Sequence, residues 1–167
     1  GGGGVSFTPV LNSTSHNITG STITISWTGN DFALYFSYRN KPVNEDWPTI
    51  SWSDWSNFGA PNEVTIPYLD EDEYIFEVKS RYEVDNESSA LTVEFEIDAV
   101  DGPGLRFYPL YTEVSSNATF TIDIYAEDLE DFFAAEIEFN YNPTHFLFDS
   151  DNISEGDSFA AMGGTPQ

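Results

Sequence analysis

A regular alternation of apolar and polar residues runs through most of the chain and constrains its fold more than any other feature. Ile23, Ile25 and Trp27 alternate with Thr and Ser, and similar runs cover residues 34–39, 74–81, 91–98, 120–127 and 135–141. Successive side chains of a strand point to opposite faces, so each run predicts a strand with one buried face. Turn-forming residues separate the runs. The pattern predicts an all-β protein built from antiparallel sandwiches.

The segment Asp101-Gly102-Pro103-Gly104 interrupts this pattern. Gly-Pro-Gly disfavours both helix and sheet, so it predicts a domain boundary, with one domain over residues 1–100 and a second over 104–167. Residues 1–4 are all glycine and are expected to form a flexible tether. The run is either a linker or similar to the tether that follows the lipid-bearing cysteine of secreted lipoproteins, which would place a lipid anchor upstream of Gly1.

Charge excludes several classes of partner. The chain has 29 acidic and 5 basic residues, a net charge of −24. A nucleic-acid binder needs a Lys/Arg surface to neutralise phosphates, and an anionic membrane surface would repel this chain. Cysteine is absent, which removes disulfides and thiolate metal sites. No apolar run approaches the roughly 18 residues of a membrane-spanning helix, so membrane insertion is not expected.

The chain offers little for catalysis. Its two histidines, His16 and His145, lie in no recognisable catalytic spacing, and no carboxylate pair stands out among the many acids. We expect no enzyme activity and no organic cofactor. Calcium stays open, because three acidic stretches could supply oxygen ligands; the alternative is a solvated acidic surface. They lie at residues 70–73, 127–131 and 149–157.

Five Asn-x-Ser/Thr sequons occur, where composition predicts about 2 by chance. They begin at Asn12, Asn17, Asn86, Asn117 and Asn152. The excess favours a secreted or cell-surface glycoprotein.

Aromatic residues cluster between two predicted strands, at Trp47, Trp52, Trp55 and Phe58. Such rings stack on sugar faces in carbohydrate-binding modules, or they cover the edge of a sandwich. Residues 52–56 spell Trp-Ser-Asp-Trp-Ser, the motif of cytokine receptors. There it follows the strand that carries the corner tyrosine, whereas here it precedes that strand, so we do not assign a receptor.

The first part of the chain, about residues 5–100, resembles a fibronectin type III or immunoglobulin-like sandwich. Trp27 lies in an early strand where these domains bury a tryptophan, and Leu69…Tyr74-x-Phe76-x-Val78 matches their corner-tyrosine segment. The resemblance implies that the Tyr74 hydroxyl bonds to backbone near Leu69. It does not identify a function, because this scaffold serves many.

The second part resembles the N-terminal part of a cohesin domain. The similarity lies in residues 105–109, 119–124 and 128–136, in Phe139-Asn140-Tyr141-Asn142-Pro143, and in residues 155–159. It covers about half of such a jelly roll and implies that further chain or a second copy completes the sheet. It also implies that a dockerin-like partner binds one sheet face, to which Glu136, Glu138 and Asn140 would contribute.

Together these observations predict a non-catalytic, secreted or surface-attached module for protein–protein attachment. The partner would be a dockerin-like module or a second copy of the chain. Two alternatives stay open: a carbohydrate-binding module, and a structural subunit of a surface layer or filament.

Overall fold

The computed structural model describes residues 6–15, 20–100, 102–131, 134–154 and 156. These residues form antiparallel strands and two short 3₁₀ turns, at Trp47–Thr49 and Ser150–Asn152, with no α-helix among them. The protein is therefore all-β, as predicted. The chain divides into two compact units, residues 1–128 and 129–167.

The larger part of the first unit is built from two sheets. One has three strands in the order β1 (Val10–Ser15), β2 (Ile23–Thr28) and β4 (Glu63–Ile66). In the other, β5 (Asp72–Glu83) lies between β3 (Tyr35–Pro42) and β7 (Leu91–Ile97), and β6 (Asn86–Glu87) forms a short hairpin with β5. All pairs are antiparallel. An immunoglobulin-like sandwich has this division of strands, with β1, β2 and β4 in one sheet and β3, β5 and β7 in the other.

The core of the sandwich forms around Trp27. Its ring lies edge-on to Phe36, with centroids 5.4 Å apart, and at 6.0 Å from Phe76. Ile25, Phe76 and Val78 are completely buried, and Trp27 is 3% exposed. These are the inward positions of the predicted alternation on β2, β3 and β5. Each such side chain contributes roughly 1.5–3 kcal/mol by leaving water.

Two further strands of the first unit form a separate ribbon. β8 (Gly104–Tyr108) pairs antiparallel with β9 (Asp123–Glu127), with Phe107 opposite Ile124. The sequence predicted that β9 begins at residue 120, three residues before its observed start at Asp123. The ribbon groups with residues 1–128, and the domain boundary expected at residues 101–104 stays a prediction.

In the second unit the described residues contain one 3₁₀ turn, at Ser150–Asn152, and no strand. The strand predicted over residues 135–141 is therefore wrong. Alternation favours a strand only where a neighbouring backbone can accept its hydrogen bonds, and the described part of this unit supplies none. Ile137 and Phe139 remain 40% and 46% exposed. The cohesin-like jelly roll is thus not confirmed.

Candidate functional site

Residues 52–56, the tryptophan strap, lie along the free edge of β3. Ser53 donates its amide hydrogen to the Tyr38 carbonyl at 2.8 Å, and its hydroxyl oxygen accepts from the Tyr38 amide at 3.1 Å. Ser56 repeats this pattern with Phe36, at 2.8 and 2.9 Å. The serines at the second and fifth positions of the motif thus bind the strap to the sheet. The strap also satisfies the edge strand, which would otherwise expose unpaired backbone groups.

The strap places tryptophan rings among the basic side chains of the outer sheet face. The Arg39 guanidinium lies over Trp52 at 4.4 Å, and Lys79 lies over the same ring at 4.6 Å. The series continues in both directions, with each cation near one or two rings. We call this set the cation–aromatic ladder; its members are Arg39, Lys41, Lys79 and Arg81 with Trp47, Trp52, Trp55 and Tyr35.

The ladder takes up four of the five basic residues of the chain. Arg39 also pairs with Glu77, and Lys79 with Glu87, both at 2.6 Å. Lys41 is 5% exposed and donates to the carbonyls of Pro42, Val43 and Glu45. The alternation over residues 34–39 and 74–81 predicted Arg39, Lys79 and Arg81 on outward faces. Their assembly needs the β3–β5 register, which the sequence does not display.

The ladder bears on the predicted sugar-stacking residues. Trp47, Trp52 and Trp55 are half-buried, and each has two cations within 5.3 Å of its ring centre. Phe58 is 72% exposed and packs near Tyr35, with ring centroids 6.3 Å apart. Covering a sheet edge therefore accounts for the three tryptophans. Sugar stacking by these residues and Phe58 stays a prediction.

The ribbon has two unlike faces. On one, Arg106 bonds Glu127, and these side chains are 13% and 12% exposed. The same guanidinium lies 5.0 Å from the Tyr125 ring. Glu71, from the loop before β5 of the sandwich, contacts the Glu127 carboxyl. On this face Arg106 and Glu127 are therefore sheltered beside the sandwich loop, whereas Tyr108 and Tyr125 are 41% and 44% exposed.

Burial of Glu71 raises the pKa of its carboxyl, because a charged carboxylate is poorly solvated there. The contact with Glu127 raises this pKa further, while the Arg106 guanidinium opposes the shift. One oxygen of each carboxyl, and one nitrogen of Arg106, are buried without a hydrogen-bond partner. The three side chains form a tight polar joint, which we call the carboxyl–arginine joint.

A second set of bonds joins the same loop to the chain after β8. The Leu110 amide donates to Asp70 Oδ1 at 2.8 Å. The rings of Tyr68 and Tyr111 stack with centroids 4.9 Å apart. The loop over residues 68–71 thus contacts β9 through Glu127 and the chain after β8 through Leu110 and Tyr111.

The opposite face of the ribbon is apolar, and its side chains are partly exposed. Leu105 and Phe107 on β8 are each 47% exposed. Ile122 and Phe120 precede β9 in the chain and are 48% and 36% exposed. We call these residues, with Ile124, the apolar face. The sequence predicted Phe120, Ile122 and Ile124 as a core-facing set, but it gave no sign that Arg106 and Glu127 would be the sheltered side chains of the ribbon.

The predicted partner-binding residues Glu136, Glu138 and Asn140 are exposed and lie outside any strand. The structure does not bring them together as one strand face, and their role in binding stays a prediction.

Four of the five sequon asparagines are exposed: Asn12, Asn86, Asn117 and Asn152. Asn17 lies outside the described residues. Glycosylation stays a prediction at all five.

Two of the acidic stretches considered for calcium meet in the carboxyl–arginine joint. Across the described ranges, however, no three histidine, aspartate or glutamate side chains are arranged to hold a metal ion. The Arg106 cation already offsets the charge of Glu127. Calcium stays a prediction, and the joint does not support it. In the described part of the chain, no helix is long and apolar enough to cross a membrane.

No protein-family model matches this chain, and no curated protein sequence matches it. Solved structures do. One, titled "Myokine structure", has 17% identity and a TM-score of 0.45 over 56% of this chain and 98% of its own. Another, the fn3 domain of human collagen alpha-1(XX) chain in solution, has 13% identity and a TM-score of 0.44 over 62% of this chain and 92% of its own. The sandwich assignment rests on the strand order described above.

Proposed function

We propose that this protein is a non-catalytic, extracellular module for protein–protein attachment, and that it binds its partner through the apolar face of the ribbon. The observation that carries the proposal is the partial exposure of the apolar face. Leu105 and Ile122 are 47% and 48% exposed, while the Arg106–Glu127 pair on the other face of the ribbon is sheltered.

The exposure of these apolar side chains has a physical cost that a partner would remove. Each large apolar side chain that stays in water forgoes roughly 1.5–3 kcal/mol of transfer free energy. Isolated exposed apolar residues are common, but a contiguous set on one strand face marks an interface. Two strands alone are also marginally stable, and a third strand or a covering surface would stabilise them.

The sandwich suits this role as a rigid support. The loop over residues 68–71 connects it to the ribbon through the carboxyl–arginine joint and the Leu110–Asp70 bond. A binding surface held by a rigid scaffold loses less conformational entropy on association.

The finer parts of the proposal come from the sequence. They are a dockerin-like partner on a cohesin-like module, secretion with lipid anchoring upstream of Gly1, and glycosylation. A second copy of the chain as partner, a carbohydrate ligand and a filament subunit remain rival proposals. Self-assembly of the purified chain would support the last of these.

Selection from a displayed library of random peptides tests the proposal. Binders are selected on the wild-type protein and counter-selected on the double variant Leu105→Ser/Ile122→Ser. Both side chains are about half exposed, so the variant should fold, which circular dichroism checks. Phe58→Ser removes an exposed ring of the sandwich and serves as the matched control.

We expect peptides that bind the wild-type protein and Phe58→Ser equally well and that do not bind the double variant. If every recovered peptide binds the double variant as well as it binds the wild type, attachment through the apolar face is contradicted.

A further inference from the structure

We propose that the open edge of β7 is a second attachment surface, and that its partner is an extended protein segment with lysine or arginine at every second position. The segment would pair with β7 as a further strand of the sheet. This inference goes beyond the proposed function and does not depend on the apolar face. It follows from the backbone groups that β7 leaves unpaired and from the side chains beside them.

The two edges of the sheet that contains β3, β5 and β7 differ. The tryptophan strap covers the edge at β3 through the amides of Ser53 and Ser56. At the other edge, β7 pairs with β5 and with no further strand among the described residues. Just after β7, the Asp98 carbonyl accepts a hydrogen bond from the Gly20 amide at 3.1 Å. Within the described part of the chain, the edge over Leu91–Ile97 is therefore open.

The register identifies the backbone groups that face this open edge. In an antiparallel pair, residues that bond to the neighbouring strand alternate with residues whose N–H and C=O point away from it. The Glu73 carbonyl bonds to the Val43 amide on the β3 side, so Glu73 does not bond to Glu96, the residue opposite it on β7. The carbonyl two residues after Glu96, which bonds outside the β5–β7 pair, agrees with this alternation. The N–H and C=O groups of Thr92, Glu94 and Glu96 therefore point to the open edge.

The same three residues carry exposed side chains. Thr92, Glu94 and Glu96 lie on the outer face of the sheet, and the residues between them are buried. Glu73 is also exposed and lies directly opposite Glu96. Like charges directly opposite each other on two strands destabilise a sheet. A cation supplied by a partner at this position would remove that repulsion.

The basic residues of the chain do not supply this cation. All five lysine and arginine residues lie among the described residues. Three of them pair with other glutamates, and the other two contact backbone carbonyls or aromatic rings. None of the five forms an ion pair with Glu94 or Glu96. The carboxylates beside the open edge therefore present a negative charge to an incoming strand.

The sign of this charge selects the occupant. Charged side chains on an exposed edge oppose pairing with the same edge of another copy, because carboxylates would then face carboxylates. An added segment places its residues opposite Glu94 and Glu96 at a Cβ separation of about 4.5–5.5 Å, with paired side chains on the same face. Lysine or arginine at every second position therefore meets both glutamates while the backbone bonds to the edge. Opposite charge also steers such a segment toward β7.

Isothermal titration of the whole chain with three synthetic peptides of equal length tests the inference. The first alternates threonine with lysine, and the second alternates threonine with glutamate. The third is the first peptide with backbone N-methyl groups on its lysines, which keeps the charge and removes the N–H donors that would face β7. The variant Glu94→Gln/Glu96→Gln removes the two carboxylates and keeps the edge. Asp31→Asn/Glu45→Gln removes two exposed acids from sandwich loops and is the matched control.

We expect the threonine–lysine peptide to bind at least about tenfold tighter than the other two peptides, and to lose about tenfold on Glu94→Gln/Glu96→Gln. Its affinity should fall as ionic strength rises from about 0.05 M to about 0.5 M, because salt screens the attraction. Asp31→Asn/Glu45→Gln and Leu105→Ser/Ile122→Ser should both bind it like the wild type.

Four outcomes would overturn the inference. Equal binding of the N-methylated peptide would show attraction by charge without strand pairing. An equal affinity for Glu94→Gln/Glu96→Gln and the matched control would show that the β7 carboxylates do not select the segment. Loss of binding on Leu105→Ser/Ile122→Ser would place the segment on the ribbon instead. Absence of binding by the threonine–lysine peptide would exclude the edge as an attachment surface, and it would leave the apolar face to its own test.

Discussion

The hydroxyl of Tyr74 donates a hydrogen bond to the carbonyl oxygen of Asp70, 2.9 Å away and four residues upstream. Tyr74 is 5% exposed and stacks on Phe95, with ring centroids 5.5 Å apart. The prediction that its hydroxyl bonds to backbone near Leu69 is thus confirmed. Burial, with the nearby Asp70 and Asp72, raises the pKa of Tyr74 well above its ordinary value, so the phenol stays a donor.

Tyr74→Phe should lower the free energy of unfolding by about 1 kcal/mol, because one partly buried hydrogen bond is lost. Urea unfolding followed by tryptophan fluorescence measures it. Tyr82→Phe is the matched control, since that ring lies 38% exposed on the same strand. Equal stability of the two variants would contradict a structural role for the Tyr74 hydroxyl.

Trp52→Leu should destabilise the protein by about 1–2 kcal/mol, because Arg39 and Lys79 each lose an aromatic partner worth roughly 0.5–1 kcal/mol. Phe58→Leu should change stability much less, since Phe58 is largely exposed. Thermal unfolding of both variants compares them. A Trp52→Leu protein as stable as the wild type would show that the ladder contributes little energy.

Glu71→Gln should change how stability depends on pH. The pKa of Glu71 is raised in the folded state, so the group contributes stability below its unfolded pKa and loses it as pH rises through the folded value. Above that value the charged carboxylate faces Glu127 and Asp98, with Arg106 as the opposing cation. Wild-type stability should therefore fall relative to Glu71→Gln from about pH 4.5 upward.

Urea midpoints across that range measure the difference, which solvent screening will moderate because the Glu71 side chain is partly exposed. Glu73→Gln, an exposed neighbour, is the control. Parallel pH profiles for the wild type and Glu71→Gln would contradict a proton-sensitive joint.

Phe76→Ala should cost about 3–5 kcal/mol, because the ring is fully buried beside Trp27 and its removal leaves a cavity. Denaturant unfolding with an unchanged m-value would show loss of stability without loss of cooperativity. A cost below about 1 kcal/mol would mean that the sandwich core repacks freely around residue 76.

The sandwich was predictable because its information is local. Alternation identified β2, β3, β5 and β7 and the side of each that is buried, and Trp27 and Tyr74 lie where the family resemblance placed them. The same rule failed over residues 135–141. A strand is stabilised by its neighbour's backbone, and alternation says nothing about whether such a neighbour is present.

What the sequence alone determined is the class of the protein: strands with one apolar face, a strongly acidic chain, and a Trp-Ser-Asp-Trp-Ser segment whose position in the fold it does not give. Tertiary structure decided which distant residues meet. The register of β3 with β5 gathered the cations around the strap, and Glu71 met Glu127 across a long stretch of chain. It also decided that Arg106 and Glu127 are the sheltered side chains of the ribbon. A period of two defines two faces of a strand, but only packing against another element selects the face that leaves water.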